Sequence, residues 1–159
     1  MTANSSPVAA PDRTMVLTRT LDAPRELVFE AWTDPIHIAR WFGPNGFTTT
    51  VHEMDVRPGG VWRFVMHGPD GTDFDNRVSY IEVTKPERLV YNHDSGEDDD
   101  PGRFHVTVTF DQIGNQTRLT MTVVLVTAAA FQRASEFGAI EAGNQTLGRL
   151  AQYLTSIKR

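Results

Sequence analysis

Between residues 46 and 126 the chain never runs far without meeting turn chemistry. "RPGG" (57–60), "GPDG" (68–71), "KPE" (85–87), "DDDPG" (98–102) and "GN" (114–115) recur at short intervals. Glycine and proline in such clusters reverse a backbone rather than extend it. The six segments they bound are "FTTTVHEMDV", "VWRFVMH", "NRVSYIEV", "RLVYNH", "RFHVTVTF" and "TRLTMTVVLV". All are rich in branched and aromatic residues and read as strands. Connections this short join antiparallel neighbours, so the spacing predicts an antiparallel meander.

Side chains alternate across a strand, and the alternation here separates two faces. Trp62, Phe64 and Met66 share one side against Arg63, Val65 and His67. Phe104, Val106, Val108 and Phe110 oppose His105, Thr107 and Thr109, while Leu119, Met121, Val123 and Leu125 oppose Arg118, Thr120 and Thr122. One face of the sheet is apolar and must be covered.

The flanking segments supply the cover. "TMVLTRTL" (14–21) reads as a further strand. "DAPRELVFEAW" then changes period, with Leu27, Val28, Ala31 and Trp32 at helical spacing, Asp22 as cap and Pro24 in the first turn. Thr33-Asp34-Pro35 stops that helix and starts a second, Asp34 capping it. The second helix buries Ile38, Trp41 and Phe42 and leaves His37 and Arg40 wet. "WTDPIHIARWFGP" (32–44) is thus a structural corner first. Near the C-terminus Phe137, Ile140, Asn144, Leu147, Ala151 and Leu154 are spaced three and four apart. That stripe predicts one long helix of roughly 40 Å lying over the apolar face.

The chain has 159 residues, enough for one domain over 14–159 behind a flexible tail at 1–13. Its net charge of −5, with basic residues spread thinly, argues against a nucleic-acid partner. No stretch approaches the ~20 apolar residues of a membrane span, and the N-terminus lacks a secretory pattern, so the expectation is a cytoplasmic protein with no membrane insertion. Cysteine is absent, which removes disulfides and thiolate chemistry. None of the five histidines forms a pair at metal-ligand spacing, so neither a metal nor a cofactor is expected; His93-Asp94 reads as an exposed loop beside the acidic run Glu97 to Asp100.

The order strand, two short helices, six strands, long helix is the helix-grip arrangement, an α+β fold in which a curved antiparallel sheet of about seven strands grips the C-terminal helix. The phrases "APRELVFEAWTDP", "RWFGP", "MDVRPGGVWRFVMHGPDG", "KPERLVY" and "GNQTLGRLAQYL" resemble the bacterial SRPBCC (START-like) proteins grouped with the C-terminal domain of the heat-shock-protein-90 ATPase activator. The resemblance runs from about residue 14 to 157. It implies a cavity between sheet and long helix, where members of the superfamily hold lipids, sterols, plant hormones or polyketide intermediates and a minority catalyse cyclisation or hydrolysis. The eukaryotic activator carries a further N-terminal domain that makes much of the chaperone contact, for which this sequence has no room.

Candidate ligand-binding residues follow from that geometry. From the sheet they are Trp62, Phe64, Met66, Tyr80, Tyr91, Val106, Val108, Phe110 and Met121; from the corner, Trp41; from the C-terminal stripe, Phe137, Ile140, Asn144 and Leu147. The apolar members serve equally as plain core. Asn144 stands where members of the family often carry tryptophan, after the glycine matching Gly143. It either faces a wet or liganded cavity or bonds a neighbouring side chain at a helix irregularity. No "GxSxG", phosphate loop or dinucleotide fingerprint is present, and no catalytic residue is assigned. The expected partner is a small hydrophobic or amphipathic molecule. The alternatives are a protein partner bound by a module with a sealed core, as in a chaperone activator, and a cavity enzyme of cyclase or hydrolase type. An edge strand such as 14–21 is compatible with monomer or dimer.

Overall fold

The computed structural model describes residues 11–157. Strand β1 (Thr14–Leu21) leads into helices α1 (Arg25–Thr33) and α2 (Pro35–Ile38). Six strands follow: β2 (Thr48–Met54), β3 (Val61–His67), β4 (Asp73–Thr84), β5 (Arg88–Asp94), β6 (Phe104–Ile113) and β7 (Gln116–Leu125). Helices α3 (Ala128–Glu136) and α4 (Ala139–Ile157) complete the chain. The strands form one antiparallel sheet in the order β1-β7-β6-β5-β4-β3-β2, a meander with the first strand added beside the last. β2 is an edge whose pairing with β3 slips between Val51 and Glu53.

The turn glycines do what their positions require. Gly59 in "RPGG" has φ +85°, in the left-handed region. Its neighbour Gly60 is needed for space instead, since a Cβ there would lie 2.0 Å from the Asp55 carbonyl oxygen.

At the corner, Asp34 caps α2 as expected, its Oδ1 accepting from the Ile36 amide at 2.8 Å and the His37 amide at 3.3 Å. α1 differs from expectation: its cap position is Pro24, with no side-chain cap, and the Leu27 and Val28 amides donate to the Pro24 carbonyl. Pro24 keeps an extended ψ of 151°, so the helix starts only at Arg25 and Asp22 lies outside it. Hydroxyl-to-carbonyl bonds tie the corner to the sheet, Thr117 to Ala23 at 2.7 Å and Thr49 to Phe42 at 2.7 Å. The tail expected over 1–13 falls outside the described residues except at its end, where Arg13 is tied to β7 through its Nη1 and the Leu125 carbonyl at 2.9 Å.

The long C-terminal helix is present as the 19-residue α4, about 28 Å long rather than the roughly 40 Å expected, because Gly138, at φ +83°, separates it from α3. The stripe shifts as well. Leu147, Leu150 and Leu154 are buried, and Gly143 faces β1 so closely that a Cβ would lie 2.5 Å from Leu17 Cδ1. Phe137, at the break, is 89% exposed, Ile140 is 42% exposed, and Asn144 is exposed. Two lines on α4, 140-144-147-151 and 143-147-150-154, share Leu147 and both satisfy helical spacing. The close approach of Gly143 to Leu17 makes the second the buried one.

Candidate functional site

The inner face of the sheet and the corner meet in an aromatic cluster. Trp62 stacks on Phe64 with ring centroids 3.9 Å apart, and Phe42 meets both edge-to-face. Trp32 meets Trp41, Phe42 and Phe110 edge-on at 4.9, 6.5 and 6.0 Å. Tyr80 and Tyr91 are cross-strand partners with rings 6.1 Å apart. All are buried, as edge-to-face aromatic contacts reward.

Four polar atoms in this cluster have no hydrogen-bond partner: Trp32 Nε1, Trp62 Nε1 and the hydroxyls of Tyr80 and Tyr91. Burial pushes both tyrosine hydroxyls far up from their ordinary pKa; the charge of Tyr91 adds to the effect at Tyr80, and the nearby Trp32 indole N–H, short of hydrogen-bond geometry, opposes it at Tyr91. They are therefore neutral O–H groups, each able to donate and accept. Trp41 differs from the other two tryptophans in that its Nε1 donates to the Ala31 carbonyl at 3.0 Å. Buried polar groups in native proteins are nearly always paired, and each orphan costs on the order of 1–3 kcal/mol.

The structure thus gathers Trp41, Trp62, Phe64, Tyr80, Tyr91, Val106, Val108, Phe110 and Leu147 into one buried core, with Met66 and Met121 partly buried against it. Phe137, Ile140 and Asn144 are not brought to it. Trp32, whose unpaired indole belongs to the same group, was read in sequence only as a plug for the corner.

His93 is the largest surprise of the sheet. It lies on the inner side of β5 in register with Leu89 and Tyr91, 7% exposed, not in a loop. Its Nε2 bonds Asn76 Oδ1 at 2.8 Å, and the ring sits 4.6 Å from that of Phe104. Burial lowers its pKa to about 4, against the opposing pull of Asp94 and Asp100. The strand period carried the signal, since 89, 91 and 93 share a parity. On the open face behind it, Arg77 grips Asp94 with two bonds of 2.9 and 2.8 Å and reaches Asp98 at 2.9 Å. Burial pushes Asp94 up, but bonds from Arg77 and the Gly96 amide outweigh it and hold the carboxyl below its ordinary range.

Two carboxylate–imidazole–hydroxyl chains occur on the surface. His67 Nδ1 lies 2.7 Å from Asp73 Oδ1 and its Nε2 2.8 Å from Thr50 Oγ1, on exposed side chains where water competes with each bond. His37 Nδ1 bonds the Tyr153 hydroxyl, and its Nε2 lies 3.5 Å from Glu30 Oε2. Among the described residues no group of three or more His, Cys, Asp or Glu side chains is arranged to hold a metal ion, and no helix is long and apolar enough to cross a membrane.

A seven-stranded antiparallel sheet, two short helices at its corner and a C-terminal helix across its inner face define a helix-grip protein of the START-like class. Solved structures agree in fold. A protein from Nitrosomonas europaea superposes with a TM-score of 0.83 at 25% identity, covering 93% of this chain and 97% of its own. One from Arthrobacter aurescens gives 0.86 at 23% over 92% and 88%, and one from Chromobacterium violaceum 0.76 at 28% over 88% and 95%. Residues 22–155 match the family described as Activator of Hsp90 ATPase homolog 1-like protein, and the chain belongs to that family. A comparison with curated proteins finds no match.

Proposed function

We propose that the chain binds a small, largely apolar molecule carrying a carbonyl or hydroxyl oxygen, seated between the sheet and α4 without a cofactor. One observation carries the reading: four unpaired polar atoms, on Trp32, Trp62, Tyr80 and Tyr91, within one aromatic interior. Two indole N–H donors and two hydroxyls suit an oxygen acceptor surrounded by hydrocarbon. Ligand sites have that composition, apolar walls with a few placed polar groups. Burial of the ligand's hydrocarbon would drive affinity at about 25 cal/mol per Å² before ordering costs.

Access requires the cover to move, because the aromatic interior is closed to solvent. Helix α3 is suited to that: of its nine residues only Ala130 is buried, and Gly138 behind it supplies a flexible joint. The exposed Phe137 and Ile140 at the joint then serve as an apolar lip. The expected site is the cytoplasm, where such a carrier meets metabolites.

The test is native mass spectrometry of the purified chain, then thermal-shift measurements against fatty acids, sterols and aromatic polyketides, on wild type and on Tyr80→Phe and Tyr91→Phe. A ligand whose stabilisation rises with its concentration, and weakens about tenfold or more when either hydroxyl is removed, supports the reading. In a sealed interaction module wild type and both variants alike bind nothing across the panel. That outcome would sink the proposal.

A further inference from the structure

A second site sits away from the aromatic interior, at the corner that the sequence singled out. Helix α4 passes the end of α2 so that Arg40, Arg149, Gln152 and Tyr153 line a cleft of about 350 Å³. Two guanidinium groups, an amide and a phenol line it, and no carboxylate does. Arg149 spends one nitrogen, Nη1, on the carbonyls of Gly43 and Pro44 at 2.8 and 3.1 Å. That bracing fixes its head at the cleft, and burial lowers its pKa, the mark of a cation short of compensation. Arg40 is exposed and, among the described residues, its guanidinium makes no ion pair or hydrogen bond, yet its charge is felt at Tyr153. In a chain of net charge −5, two cations sharing a cleft without an acid in its wall are arranged for an anion from outside.

We propose that this cleft binds a tetrahedral oxyanion of the phosphate or sulfate type, free or as a monoester, and that His37 sets its affinity. The charge matches, since two guanidinium groups balance a dianion, and the Gln152 amide and Tyr153 hydroxyl add neutral donors. The hydroxyl is the controlled element. When His37 is neutral with its proton on Nε2 toward Glu30, Nδ1 accepts from Tyr153, and the phenol proton points away from the cleft. When His37 is protonated, Nδ1–H donates to the phenol oxygen and releases that proton to the anion. The groups facing His37 are Glu30 from α1, Tyr153 from α4, and Asp34 and Arg40 on its own segment, with Asp34 also acting on Tyr153. A proton on Nδ1 and an anion in the cleft both require the same orientation of the Tyr153 hydroxyl, so each favours the other. Anion binding and proton uptake at His37 are therefore linked.

Sulfate is the discriminating probe because it stays a dianion from pH 8 to pH 5, so any pH dependence belongs to the protein. Titration calorimetry of the full chain, at constant ionic strength in chloride, should show sulfate binding that tightens severalfold as pH falls across that range. Arg40→Gln, a change at an exposed and partnerless side chain, should weaken it about tenfold, as loss of one charged contact does. Tyr153→Phe and His37→Gln should each flatten the pH dependence, while general charge effects on a nearby surface would persist in both. Inorganic phosphate against glycerol phosphate then separates the free ion from the ester by which binds tighter. Sulfate that binds no better than chloride, affinity unchanged in Arg40→Gln, or a pH dependence retained in His37→Gln would each overturn the proposal. None of these results bears on the aromatic interior, whose test is read on the Tyr80 and Tyr91 variants.

Discussion

The β4–β5 pair carries buried polar groups at two levels, and the two levels are treated in opposite ways. Toward one end, His93 is bonded to Asn76, and Arg77 is clamped to Asp94 and Asp98. Two residues along, Tyr80 and Tyr91 face each other with hydroxyls that bond nothing, beside two tryptophans in the same condition. The same pair of strands thus gives a satisfied network at one level and an unsatisfied one at the next. A fold that pairs every polar atom at one level has the means to do so at the next. Under the proposed function the missing partner is the ligand's oxygen, and the paired level would hold the strands in place around it.

The largest expected effect comes from unsettling the paired level with acid. His93 is depressed from 6.5 to about 4, so the folded state resists a proton that the unfolded chain accepts. Its contribution is complete above pH 6.5 and declines as pH falls toward 4, because in that window the unfolded state binds more protons. The loss amounts to about 3 kcal/mol, at roughly 1.4 kcal/mol per pH unit. Urea unfolding at pH 7 and pH 4.5 should show it, and His93→Gln should flatten that part of the profile.

Next is Arg77→Ala, which leaves Asp94 half-enclosed with only the Gly96 amide and no cation. We expect a loss of about 2 kcal/mol, less than the 3–5 of a fully buried pair because both partners keep some contact with water. The unpaired level should answer in the reverse sense. Tyr80→Phe or Tyr91→Phe, without ligand, should leave stability unchanged or raise it by about 1 kcal/mol, since a desolvated hydroxyl with no partner is removed. A loss of 2 kcal/mol or more in chemical denaturation would show that the hydroxyls are bonded in solution and would erase the contrast between the levels.

The smallest effects test the phase of α4. Gly143→Ala gains about 0.5–1 kcal/mol in helix propensity but drives a methyl into Leu17, itself 6% exposed, for a net loss of about 1 kcal/mol. Asn144→Ala, one residue on and exposed, should change stability in chemical denaturation by no more than about ±0.5 kcal/mol, as is usual for surface sites.

What was legible in the sequence and what was not divide along physical lines. Period-2 alternation and turn glycines gave the six-strand meander, because both are local rules. The Asp34-Pro35 start of α2 was legible for the same reason. The phase of α4 was not. Two stripes on one helix pass the same spacing test, and the distance of Gly143 from a strand more than a hundred residues earlier decides between them. Gly138 was passed over because a glycine inside an apolar-periodic run announces a stop only when its φ is known. His93 was missed through composition, a charged neighbourhood outweighing the parity it shares with Leu89 and Tyr91. The unpaired hydroxyls and the anion cleft were illegible in principle, since what surrounds each is set by tertiary packing, the cleft joining the segment after α2 to α4 more than a hundred residues later.

The break at Gly138 also divides the molecule in time. A helix of nine residues that buries only Ala130 holds its amides closed with little free energy, whereas α4 is pinned along its length by Leu147, Leu150 and Leu154. Hydrogen exchange should therefore register them as separate cooperative units. Amides of 131–136 would exchange by local opening while those of 147–154 wait for global unfolding, the result expected of a segment that opens and leaves the rest of the fold intact.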